Sequence, residues 1–187
     1  LIPVLSAAEK AALLEYARLA LAWRLEGGGP PPQPRGEAME QSCGAFVSLH
    51  KGGELRGCIG RIVGGKPLVE TIFTMAQAAA FEDPRFEALE KEELGQIDIE
   101  ITLLSPMRRI DDVAEIQVGR HGLYIVKGWH SGLLLPQVPV EQGWDRASFL
   151  QQICHKAGLQ ADAWRAPDAE LFVFEGLVFG EAAKRGA

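Results

Sequence analysis

Leu55-Arg56-Gly57-Cys58-Ile59-Gly60 places a thiol, a guanidinium and two glycines within one short run. In extended chain, side chains alternate faces, so Arg56 and Cys58 are expected to point the same way. A cation beside a thiol favours the thiolate, which is the nucleophilic form. Gly57 and Gly60 lack a Cβ, so a ligand or another chain segment can approach the backbone there. The chemistry this allows is thiol catalysis, with Cys58 as nucleophile and Arg56 as its activator or as an anion clamp. Gln137, or backbone amides near Gly57 and Gly60, would stabilise an oxyanion. The competing reading is packing, because free cysteine is among the most buried residue types.

The elements that must position this run can be read around it. Phe46-Val47-Ser48-Leu49-His50 has the character of a strand, and Lys51-Gly52-Gly53-Glu54 that of a turn. With Gly52-Gly53 as a two-residue hairpin turn, His50 pairs with Leu55 and Val47 lies opposite Cys58. That register predicts Val47, Leu49, Arg56 and Cys58 on one face, and Phe46, Leu55 and Ile59 on the other.

Upstream, Ser6 and Glu9 fit a capping box that opens a helix. Leu13, Leu14, Ala17, Leu21 and Leu25 give it one apolar face. The Gly- and Pro-rich stretch 27–36 reads as an exposed connector, either a spacer or a polyproline segment offered to a partner. Downstream, Pro67 fits the first position of a helix whose buried side runs from Leu68 to Ala80. Asp83-Pro84 ends it. Asp83 and Arg85 then read as a solvated local ion pair worth little. Ile97 to Leu103 alternates apolar and polar residues, as a half-buried strand does. Short strands are expected at 114–118 and 122–127, with a turn at Gly119-Arg120-His121-Gly122. Pro136 argues against a central strand in 133–138. Asp145 is a good N-cap for a helix ending near Gly158. Leu171 to Phe179 is a nearly continuous apolar strand. Hairpins without regular βαβ alternation predict an α+β fold with a mostly antiparallel sheet, as a single domain over 1–187.

Composition narrows the function classes. With 47% hydrophobic and 24% charged residues, the chain is of ordinary globular type. A net charge of −6 argues against a charge-driven nucleic-acid binder. Three cysteines with no CxxC suit a reducing cytosol, so a cytoplasmic location is expected. No apolar run is long enough to cross a bilayer, and Leu1-Ile2-Pro3-Val4 has no signal-peptide character. No metal site or cofactor is expected. Cys154-His155 is the only adjacent candidate pair, and neighbours on a helix point about 100° apart.

The LRGCIG run at Leu55–Gly60 resembles the hallmark of the AMMECR-type domain family, whose bacterial relatives are called AmmeMemoRadiSam system protein A. Ala79-Ala80 before Asp83-Pro84-Arg85-Phe86, Gly119 with His121-Gly122, Gly132 to Gln137, and Gly143-Trp144-Asp145 match as well. So do Cys154 with Lys156-Ala157-Gly158, and Ala163-Trp164. The resemblance extends from about Ser6 to Glu181 and implies an α+β fold with an antiparallel sheet and a smaller subdomain. It also implies a genetic link to Memo-type and radical SAM proteins, which makes these the expected partners. The family often carries a histidine where Gln142 stands, so no catalytic role is placed there.

The resemblance makes His121 the candidate base for a Cys58 nucleophile, with His121 as a simple turn residue the alternative. A second class is a non-catalytic module that binds a peptide, an anionic ligand or a partner protein at the same cleft. Arg56, Gly57, Gly60, Asp83, Arg85, Gln137, Trp144 and Asp145 are its candidate contacts.

Overall fold

A computed structural model of the chain describes residues 1–181. They fall into two compact units, Leu1–Leu104 with the chain from Leu177 onward, and Ser105–Gly176. Each combines helices with antiparallel strands, so the expected α+β architecture holds.

The first unit opens with α1 (Ala7–Glu26), and the Ser6–Glu9 capping box forms as read from the sequence. Leu13, Leu14, Ala17 and Leu21 turn its apolar stripe inward. The connector carries no regular element until α2 (Glu37–Glu40). β1 (Gly44–Lys51) and β2 (Glu54–Arg61) form the hairpin, α3 (Leu68–Phe81) follows, and β3 (Ile97–Leu104) pairs with β1. Pro67 is the N-cap residue, one position before the expected start of α3. The helix ends at Phe81, two residues before Asp83.

The sheet order β2-β1-β3 leaves β2 at an edge. One face carries Ala45, Val47 and Leu49 beside Ile97, Ile99, Ile101 and Leu103, and these join α1 and α3 in one apolar core. Alanines at 76, 78, 79 and 80 let α3 lie close against β2. A Cβ on Gly57 would stand 2.1 Å from the carbonyl oxygen of Ala79. The chain segment that approaches Gly57 is therefore the protein's own helix.

The hairpin register departs from expectation. The turn is right, since His50 pairs with Leu55, but a bulge follows and Leu49 pairs with Gly57. Arg56 is the extra residue. Beyond it Ser48, not Val47, lies opposite Cys58, and Ile59 lies opposite Val47. Cys58 is thus on the face away from Val47 and Leu49. The slip aligns Ile59 with the apolar face, which a regular ladder would have turned outward.

In the second unit, β4 (Arg108–Ile110) and β5 (His121–Lys127) both pair with β7 (Ala169–Gly180). β6 (His130–Leu134) pairs with β5 and stops before Pro136. α4 (Val138–Glu141) and α5 (Arg146–Lys156) follow, and α5 packs through Phe149, Leu150 and Ile153. The strand expected at 114–118 is replaced by a 3-10 turn over Val113–Glu115. Asp112 explains it, accepting the Ala114 N–H at 2.8 Å and stabilising a turn locally.

Gly57→Ala is expected to destabilise the protein by about 2 kcal/mol or more, because the new methyl meets helix backbone. Gly65→Ala, with nothing within 4 Å, is expected to stay within about 0.5 kcal/mol of wild type. Urea unfolding of both variants checks the contrast.

Candidate functional site

Cys58 sits on the exposed edge of β2, where backbone groups have no strand to pair with. The loop after α3 supplies the missing partners. Asp83 Oδ2 accepts the Cys58 N–H at 2.9 Å, and Arg85 Nη2 donates to the Cys58 carbonyl oxygen at 3.4 Å. The Asp83 carboxylate also takes Arg85 Nε at 3.0 Å and Nη2 at 2.7 Å. A carboxylate and a guanidinium thus give one edge residue the acceptor and donor that a neighbouring strand would give.

Asp83 is 4% exposed, so the pair is not the solvated one expected from sequence. The Arg85 guanidinium, followed by the Cys58 and Arg85 amides, holds the Asp83 carboxyl well below the usual carboxylate range against the opposing effect of burial. The Asp83 carboxylate in turn raises Arg85.

Arg56 is occupied in the same way. Its Nε and Nη2 donate to the two oxygens of Glu93 at 3.0 and 2.9 Å, and Nη1 reaches the Glu87 carbonyl at 2.9 Å. Lys51 joins Glu93 at 2.9 Å. Arg56, then Lys51 and the Glu90 amide, pull the Glu93 carboxyl down to about 2. The guanidinium that meets Cys58 is therefore Arg85, acting on its backbone carbonyl. Gly60 has a structural neighbour like that of Gly57, since a Cβ there would stand 2.3 Å from the Phe46 ring.

With its N–H and C=O directed outward, Cys58 forms a non-hydrogen-bonded pair with Ser48, the kind that brings side chains closest. The Ser48 hydroxyl donates to Cys58 Sγ at 3.1 Å. Ser48 pairs in turn with Glu100, and His50 with Asp98. Cys58, Ser48 and Glu100 form one row across three strands, and His50 with Asp98 forms the next. His50, Asp98 and Glu100 then line a cleft of about 370 Å³, together with Gly53, Ile99, Val178, Phe179 and Gly180.

Ser48, His50, Asp98 and Glu100 were not among the residues singled out from sequence. The signal was present as polar residues at alternate positions, 48 and 50 in one strand and 98, 100 and 102 in the other. The regular register had put Val47 in the place of Ser48.

The remaining sequence candidates lie in the second unit. His121 is the first residue of β5 rather than a turn residue, and is 6% exposed. Its Nδ1 accepts the Gln117 N–H at 3.1 Å, and the ring also bonds the Glu115 backbone. Burial, with Arg120 nearby, pushes its pKa down, which favours the neutral ring. Gln137 is the N-cap residue of α4. Trp144 packs its ring on the α5 core, and its backbone N–H donates to the Pro139 carbonyl at 2.8 Å. Asp145 caps α5 by accepting the Ser148 N–H at 2.8 Å. Among the described residues no group of three or more His, Cys, Asp or Glu side chains is placed to hold a metal ion.

Asp83→Ala leaves the half-buried Cys58 N–H without its acceptor and Arg85 without its carboxylate, and is expected to destabilise by about 2–4 kcal/mol in urea unfolding. The depressed carboxyl of Glu93 contributes stability that is complete above its ordinary value of 4.5 and is lost as pH falls toward about 2. Wild-type stability should therefore decline across that window. Glu93→Gln should show a shallower decline, and equal slopes would contradict the assignment.

Comparison with known proteins agrees with this fold. A chain 42% identical over 184 residues is Protein MK0488 of Methanopyrus kandleri, with 93% of this chain and 89% of that one aligned. Protein NEQ441 of Nanoarchaeum equitans is 41% identical, with 90% and 98% aligned. The crystal structure of PH0010 from Pyrococcus horikoshii superposes with a TM-score of 0.83 at 36% identity, over 90% of this chain and 89% of that one. No helix among the described residues is long and apolar enough to cross a membrane. The AMMECR1 family profile matches residues 14–179, which takes in the clasped edge strand and most of both units, and the chain belongs to the AMMECR1 family.

Proposed function

We propose that the protein is a recognition module whose binding surface is the polar side of the β2-β1-β3 sheet, with the cleft at His50, Asp98 and Glu100 as its pocket. The observation that carries this reading is the pairing of the two arginines. Arg56 is held at two points by Glu93, and Arg85 at two points by Asp83. A guanidinium already matched to a carboxylate is a poor clamp for a further anion. The cleft collects carboxylates, an imidazole and an apolar wall of Ile99, Val178 and Phe179. A basic segment of a partner protein matches that lining, its side-chain stem along the wall and its charge toward Asp98 and Glu100. Memo-type and radical SAM proteins are the partners to test, in a cytosolic setting that three free thiols support.

A second reading, thiol-dependent catalysis in a modification pathway, draws on two observations. The Ser48 hydroxyl donates to a half-buried sulfur, and Cys58 interacts electrostatically with the Arg85 guanidinium.

Capture of Memo-type and radical SAM proteins by the immobilised chain separates the two. Cys58→Ser is expected to bind as wild type, and Asp98→Asn with Glu100→Gln to weaken capture about tenfold or more. The reverse pattern overturns the recognition reading. Iodoacetamide should modify folded Cys58 no faster at pH 7 than it modifies the unfolded chain. A rate about tenfold higher would favour the thiol reading.

A further inference from the structure

A third surface of the first unit plays no part in the clasp or the acidic cleft. Tyr16 and Trp23 on α1 and Phe73 on α3 come together where the two helices pack, with ring centroids 5.5 Å apart for Tyr16–Phe73 and 5.8 Å for Trp23–Phe73. The connector closes one side. Trp23 Nε1 donates to the Gly28 carbonyl at 3.0 Å, and Gln33 hydrogen-bonds the Tyr16 phenol. The result is a pocket of about 580 Å³ lined by the three rings, Pro30, Pro31, Gln33, Glu70 and Thr74. That is the size of an organic-ligand site. The connector, which sequence reads as a spacer or an offered segment, here serves as a wall.

The lining has a chemical bias. Ring faces carry negative quadrupole potential, and Glu70 adds a carboxylate at the rim. Elsewhere in the chain such faces already hold cations: Lys10 lies over Phe179, Arg24 over Phe81, Arg85 over Phe86 and Arg165 over Trp164. Among the described residues no lysine or arginine lies over Tyr16, Trp23 or Phe73. Burial raises the Tyr16 pKa, so the phenol stays neutral and brings no repelling or attracting charge of its own. Glu70 is half exposed and shared with Lys66 at 2.6 Å, a surface pair that holds it loosely.

We propose that this pocket binds an organic cation of the quaternary or alkylated ammonium type. Such a cation is weakly hydrated, so it loses little on leaving water, and its methyl groups pack on rings and prolines while its charge meets the ring faces and Glu70. A primary ammonium, which is strongly hydrated, fits the lining less well. The rings are fixed before ligand arrives, by the Trp23–Gly28 bond and by ring-on-ring contact, which lowers the ordering loss on binding.

The test is titration of the full chain with choline and, in parallel, with its neutral isostere 3,3-dimethylbutan-1-ol, following the Trp23 indole N–H resonance by NMR. Choline is expected to shift that resonance saturably, and the isostere to bind about tenfold more weakly. Glu70→Gln should weaken choline several-fold. Thr74→Trp, at an exposed position that can fill the pocket without entering the core, should abolish the shift while melting as wild type. Equal binding of the isostere, no saturable shift with choline, or an unchanged shift in Thr74→Trp would each overturn the proposal.

Discussion

A sheet edge must satisfy its outward N–H and C=O groups, and the first unit does so at Cys58 with side chains instead of a strand. Asp83 accepts and Arg85 donates, and their mutual ion pair holds both in register. Because the backbone of Cys58 is directed outward, its pair with Ser48 belongs to the class in which side chains approach most closely. The contact between sulfur and hydroxyl, the row that continues to Glu100 and the cleft beyond it all follow from that orientation. The same loop carries Glu87, whose carbonyl takes Arg56, and leads on to Glu93. One segment thus ties both arginines and the edge of β2 to the end of α3.

This arrangement gives the LRGCIG run a physical meaning residue by residue. Arg56 is the bulge residue whose side chain crosses to Glu93. Gly57 is bare because α3 lies on it, and Gly60 is bare because the Phe46 ring covers it. Ile59 faces the core opposite Val47. Cys58 presents its side chain to the polar face beside Ser48, and Leu55 does so opposite His50. The motif is then chiefly a device for setting an edge strand and bringing the polar rows beside it into line.

Much of this was legible in the sequence, and the failures have identifiable causes. The capping box at Ser6, the alternation of Ile97 to Leu103 and the cap at Asp145 are local signals, and local physics decided them. The hairpin turn was legible, but the bulge after it was not, because counting from Gly52-Gly53 assumes a regular ladder. Requiring Ile59 to share a face with Val47 and Leu49 would have forced the slip and placed Ser48 beside Cys58. Asp83 and Arg85 were visible as neighbours. The burial of the Asp83 carboxylate was not, since it depends on a strand that ends 22 residues earlier in the chain, at Arg61. The Arg56–Glu93 pair spans 37 residues, and no local pattern announces it.

The most direct measurement is amide hydrogen exchange at Cys58, compared between wild type and Asp83→Ala. If the carboxylate stands in for a neighbouring strand, the wild-type Cys58 amide exchanges as slowly as an interior strand amide such as that of Val47, and the variant loses that protection while Val47 keeps its own. A wild-type Cys58 amide that exchanges as fast as a solvent-facing edge, or one whose protection survives the loss of Asp83, would contradict the account.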